Sequence, residues 1–101
     1  GVAKVWRTGS WQEVGTLRGH LLGVHGLAFS ADGRRLVTGS SGNETAKVWD
    51  LATMQEVLNL SGPGDLTFWL GFSPDGRTLL GLGISSGVRC WYAPSIAEIP
   101  L

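Results

Sequence analysis

The stretch Ala46-Lys47-Val48-Trp49-Asp50 decides the fold, because its first four residues also stand at Ala3-Lys4-Val5-Trp6, 43 positions earlier. Val88-Arg89-Cys90-Trp91 repeats the pattern 42 positions later. Between these anchors, Phe29-Ser30-Ala31-Asp32-Gly33-Arg34-Arg35-Leu36 returns as Phe72-Ser73-Pro74-Asp75-Gly76-Arg77-Thr78-Leu79, again 43 apart. After the anchors, Gln12-Glu13-Val14 matches Gln55-Glu56-Val57, and Ala97-Glu98-Ile99 holds the corresponding place in the third copy. A fixed period of this length marks a repeat architecture, in which each unit buries its apolar faces against its neighbours.

Inside one unit the pattern is that of short strands joined by tight turns. Residues 24–30 read as a strand entering the Asp32-Gly33 turn, 36–40 as its return, 46–50 as a third strand and 56–60 as a fourth. The next unit runs through 66–73, 78–83 and 87–92, with a fourth strand over 96–101 weakened by Pro94 and Pro100. Residues 2–6 and 11–17 supply the last two strands of an earlier unit. The expected core positions are Val24, Leu27, Phe29, Leu36 and Val48, with Leu70, Phe72, Leu79 and Val88 as their counterparts. Cys90, between Arg89 and Trp91 in a strand, reads as a buried thiol.

Composition narrows the function. Eight Lys+Arg balance eight Asp+Glu in 101 residues, so no net charge favours nucleic acid or an anionic membrane. With 43% hydrophobic and 16% charged residues the chain is too apolar for disorder, and its 16 glycines suit a turn-rich all-β domain. One cysteine excludes an intrachain disulfide, and with two histidines it cannot complete a four-ligand zinc site without carboxylates. No uncharged run reaches the roughly 20 apolar residues of a spanning helix, so no membrane insertion is expected. The start at Gly1 and the lack of a signal-like segment suggest a piece of a larger protein, and the unpaired cysteine suggests a reducing, cytoplasmic setting.

The ordered set Gly19-His20, Val24, Leu27, Phe29-Ser30, Asp32-Gly33 and Val48-Trp49-Asp50 resembles the WD-repeat family. The likeness implies a partial β-propeller: about two four-stranded antiparallel blades plus two strands of a preceding blade. Residues 1–17 would be those two strands, 18–60 a complete repeat unit, and 61–101 a divergent C-terminal unit. The run Thr38-Gly39-Ser40-Ser41-Gly42-Asn43-Glu44, the Gly62-Pro63-Gly64 and the ending after Trp91 look like the C-terminal blades of large bacterial WD-repeat proteins. In that group a propeller is often joined to a serine/threonine protein kinase domain.

The resemblance also implies a hydrogen-bond chain that pins a blade, running from Trp49 through the hydroxyl of Thr38 or Ser40 to His20. The acid expected after the second strand is missing, and Asn43 is the available substitute. In the last unit Pro63 stands for the histidine, and Gly81 and Gly83 for the hydroxyl residues, so that network is absent. Recognition would fall to the loops of one rim: Leu21, Leu22, His25, Asn43, Glu44, Asp65, Phe68 and Trp69. Phe68 and Trp69 suit either a contact anchor or packing between blades.

No serine sits in a nucleophile elbow, and neither Gly81-Leu82-Gly83 nor Gly62-Pro63-Gly64 is followed by the Lys and helix of a phosphate loop. The expected role is therefore a non-enzymatic protein-protein interaction scaffold with no cofactor or metal. Its partners would be proteins or peptides, with further blades in cis or further copies in trans. Alternatives are the regulatory or targeting propeller of a bacterial serine/threonine kinase, or a short self-assembling propeller protomer.

Overall fold

The computed structural model describes residues 1–41, 46–60, 66–85 and 87–92. These form nine strands and no helix: β1 (Val2–Trp6), β2 (Glu13–Arg18), β3 (Gly26–Phe29), β4 (Arg35–Gly39), β5 (Ala46–Asp50), β6 (Gln55–Leu60), β7 (Thr67–Phe72), β8 (Thr78–Gly83) and β9 (Gly87–Tyr92). They make three antiparallel sheets, ordered β1-β2, β3-β4-β5-β6 and β7-β8-β9. The chain is an all-β partial β-propeller. The expected fourth strand over 96–101 lies outside the described residues.

The repeated sequence produces repeated detail. In both Asp-Gly turns the serine hydroxyl donates to the aspartate, Ser30 to Asp32 at 2.7 Å and Ser73 to Asp75 at 2.6 Å. The N–H two residues beyond the aspartate closes each turn, from Arg34 at 3.0 Å and from Arg77 at 2.9 Å. Gly33 and Gly76 both sit at φ 73°, where a side chain would be strained. The Arg34 N–H, then the Ser30 hydroxyl, hold Asp32 below the ordinary carboxylate value; for Asp75 the Ser73 hydroxyl leads. The register shift at Val5/Trp6 recurs at Val48/Trp49, so the bulge belongs to the repeat. Trp11, expected to open a strand, instead stands exposed at φ 58° in the turn before β2.

Each sheet can cover one face of the next. Between the first and second sheets lie Ala3, Leu17, Leu36 and Trp49. Between the second and third lie Val37, Ala46, Val48, Leu70 and Leu79, with Trp91 and Phe72 packed against them. The strand period of two divides β4 cleanly: Leu36 and Thr38 look back toward the first sheet, while Val37 and Gly39 look forward toward the third.

Equivalent positions nevertheless differ in burial. Leu27 is 56% exposed, whereas Leu70, 43 residues on, is 4% exposed. Phe29 is 59% exposed, and its counterpart Phe72 is partly buried. The expected core positions Leu27, Phe29 and Val88 are therefore corrected to surface positions. The reason is neighbourhood: the first sheet contributes only β1 and β2, which reach Leu36 and Trp49 but leave the β3 end of the second sheet uncovered. At the other end, Val88 and Tyr92 look away from the second sheet. Cys90, between them on the same face, is exposed rather than buried.

This difference is measurable. Leu70→Ala should cost about 2–5 kcal/mol in urea unfolding, while Leu27→Ala, with the same side chain at the same repeat position, should stay within about 0.5 kcal/mol.

Candidate functional site

Thr38 on β4 is the hub of the second sheet. Its Oγ1 accepts the Trp49 indole N–H from the neighbouring strand at 2.8 Å and lies 2.5 Å from His20 Nε2. A neutral imidazole accepting the Thr38 hydroxyl hydrogen at Nε2 lets the threonine accept from one ring and donate to the other. The two rings also meet edge to face, with centroids 6.4 Å apart. Gly19 makes room, because a Cβ there would stand 3.1 Å from Trp49 Cη2. Ser40 is placed apart from this relay: its hydroxyl donates to the Gly23 carbonyl at 2.6 Å. Asn43 and Glu44 lie outside the described residues, as does Asp65.

Two ion pairs flank the hub. Arg35 Nη1 donates to Asp50 Oδ1 at 3.0 Å across β4 and β5, with both residues buried. Asp50 also accepts from the Thr53 hydroxyl at 2.9 Å. The Thr53 hydroxyl first, and the Arg35 guanidinium after it, hold Asp50 below the ordinary carboxylate value against the opposing effect of burial. Lys47 Nζ meets Glu56 Oε1 at 2.8 Å, and the equivalent pair, Lys4 with Glu13, stands 3.8 Å apart at the surface. The sequence reading did not single out these pairs, although the spacing Lys-x-Trp followed by Glu occurs in both units and was the available signal.

The third sheet is built differently. Gly81 occupies the position of Thr38, and a Cβ there would lie 3.0 Å from Trp91 Cζ3. The Trp91 ring thus rests against β8 backbone at the place where the second sheet has a hydroxyl.

The candidate recognition residues divide between a loop and a groove. Leu21 and Leu22, on the connection from β2 to β3, are exposed. His25, Phe68 and Trp69 are brought together in a groove of about 450 Å³ whose other walls include Val2, Lys4 and Leu27. Phe68 and Trp69 are each close to half exposed, 49% and 47%. The Trp69 indole lies over Gly71, where a Cβ would overlap its six-membered ring.

Adjacent carbonyls at the end of β4 hang both sides of this groove. Gly39 O accepts the His25 N–H at 2.8 Å, and Ser40 O accepts the Thr67 N–H at 2.9 Å. With its hydroxyl on Gly23, Ser40 ties the loop before β3 to the start of β7. Among the described residues no group of three or more His, Cys, Asp or Glu side chains is placed to hold a metal ion. The groove offers apolar and aromatic surface with strand edges, the chemistry of side-chain and main-chain recognition.

Residues 11–50 match the family of the WD domain, G-beta repeat. The matched run extends from the turn before β2 to the end of β5, so one sequence repeat spans two sheets. No curated protein matches the chain.

Two outcomes follow from the hub and its flanking pair. Thr38→Val should lower stability by about 1–3 kcal/mol by stranding two buried ring nitrogens, read by urea unfolding. The lowered carboxyl values of Asp32, Asp50 and Asp75 stabilise the fold above their unfolded value near 3.8, and that contribution disappears as pH falls through the folded values. Thermal unfolding should therefore hold steady between about pH 7 and 5 and weaken below about pH 4, with a shallower fall in Asp50→Asn.

Proposed function

We propose that the whole chain is a WD-repeat interaction module, divided into residues 1–17, 18–60 and 61–101, that binds proteins or peptides without catalysing a reaction. WD repeats generally mediate protein-protein interaction; one is matched over residues 11–50, and the recurrence of its sequence 43 positions on supports carrying the reading to the third sheet. The observation that carries the reading is the groove joining His25, Phe68 and Trp69. Two half-exposed aromatics held on backbone anchors form a site for an apolar side chain, and tryptophan is favoured where binding energy concentrates. The polar groups near it serve structure: the His20, Thr38 and Trp49 relay and the Arg35–Asp50 pair are spent inside the sheet.

Selection of displayed peptides against the intact chain tests this. Peptides that bind should lose about tenfold or more in affinity to Phe68→Ala or Trp69→Ala and keep it against Val88→Ala at the far exposed face. Selected peptides indifferent to both aromatic substitutions would sink the reading.

A further inference from the structure

We propose that Met54 is a redox-sensitive clasp between the first and second sheets: its thioether fastens the β5–β6 turn onto β2, and oxidation to the sulfoxide by a peroxide releases that contact. Neither Met54 nor Gly15, its seat on β2, lines the recognition groove, so the clasp and the interaction role are separate.

The backbone singles the residue out. Met54 stands at φ 59°, in the left-handed region, where a side chain with a Cβ is disfavoured and glycine holds a turn at less strain. The turn is tied immediately before it, where Asp50 Oδ2 accepts the Thr53 hydroxyl at 2.9 Å and the Thr53 N–H at 3.3 Å. The same backbone recurs 43 positions earlier at Trp11, with φ 58°, and there too the residue is large and apolar rather than glycine. A long apolar side chain on a strained backbone points to a use for that side chain.

The use lies across the sheet boundary. A Cβ on Gly15 would stand 2.8 Å from Met54 Cε, 3.5 Å from Cγ and 3.8 Å from Sδ, so the end of the methionine rests where Gly15 has no side chain. Met54 also packs on the cluster of Ala3, Leu17, Leu36 and Trp49 that joins the two sheets. It is the chain's one methionine, and it is partly buried rather than sealed, which leaves it within reach of a small oxidant. In the reaction with hydrogen peroxide, the sulfur lone pair attacks one peroxide oxygen, the O–O bond breaks, and the products are the sulfoxide and water. A thiol-dependent sulfoxide reductase restores the thioether, with the oxygen leaving as water and the thiols oxidised to a disulfide. The sulfoxide oxygen brings a strong hydrogen-bond acceptor into a contact made of Gly15 and apolar side chains, and a polar group left unpaired there opposes the contact.

Dilute hydrogen peroxide acting on the 101-residue chain is the test. Cys90 is exposed and would oxidise as well, so every measurement uses the Cys90→Ser background. Peptide mapping by mass spectrometry should find one added oxygen on Met54 in the folded chain. Oxidation should lower the midpoint of thermal unfolding by about 4 °C or more. Hydrogen exchange should speed about tenfold or more at β1 and β2 while staying within about twofold at β8. Sulfoxide reductase with a thiol should reverse both changes. Met54→Leu, apolar and without sulfur, should keep the parent's midpoint and be indifferent to peroxide; Met54→Gln should reproduce the oxidised chain without peroxide. The proposal is overturned if Met54 oxidises only under conditions that unfold the chain, or if its sulfoxide leaves the midpoint and the exchange at β2 unchanged. It is equally overturned if peroxide destabilises Met54→Leu as much as the parent, if Met54→Gln is as stable as the parent, or if oxidation speeds exchange evenly across all three sheets.

Discussion

Everything in this chain depends on one constraint: a sheet with two apolar faces is stable only where another sheet lies against each face. The second sheet shows the condition and its breach within one strand pair. Leu36 on β4 meets Ala3 and Leu17 and is 3% exposed, while Phe29, its partner on β3, meets no described sheet and is 59% exposed. Neither propensity nor hydrophobicity separates these two residues. Their neighbours do, and the same contrast holds for Lys47–Glu56 against Lys4–Glu13 and for Trp49 against Trp6.

The contrast explains what the sequence could and could not disclose. Strand identity was legible because it is set locally, by alternation and by turn chemistry: β1, β5, β8 and β9 occupy the residues read from the repeat. The Ser-x-Asp-Gly turns announced themselves for the same reason. Burial was not legible in the same way, since Leu27 and Leu70 look alike in a pattern and part company only in the assembled structure. Cys90 was misread on the same ground: its strand is the third in its sheet, and its side chain looks away from the chain's remaining sheets. At the candidate site, the relay partners His20, Thr38 and Trp49 could be named from the resemblance, but the choice between Thr38 and Ser40 needed coordinates. Position along the strand decides it, since the two share parity: Thr38 lies within the paired residues of β4 and receives Trp49, and Ser40 lies beyond them.

That assignment gives Ser40 a different importance. With its hydroxyl on Gly23 and its carbonyl on Thr67, it joins the loop entering β3 to the start of β7. Gly39 beside it holds His25. The groove walls are thus fixed by backbone bonds from the end of one strand, and the aromatics between them keep partly exposed surface without losing their positions. Holding backbone rigidly while leaving side chains open limits the ordering cost of binding, which is the general advantage of a preorganised surface.

The unequal sheets bear on the same point. The second sheet is pinned through Thr38 and closed by a buried ion pair, whereas the third lays Trp91 on Gly81 and has threonine and tyrosine where the second has Arg35 and Asp50. Phe68 and Trp69 belong to this third sheet, and β7 begins with a hydrogen bond to the second. The groove therefore has one wall from the second sheet and another from the third, joined at Ser40. An incoming segment thus meets two surfaces whose relative position is set by main-chain bonds from a single strand end, Gly39 and Ser40.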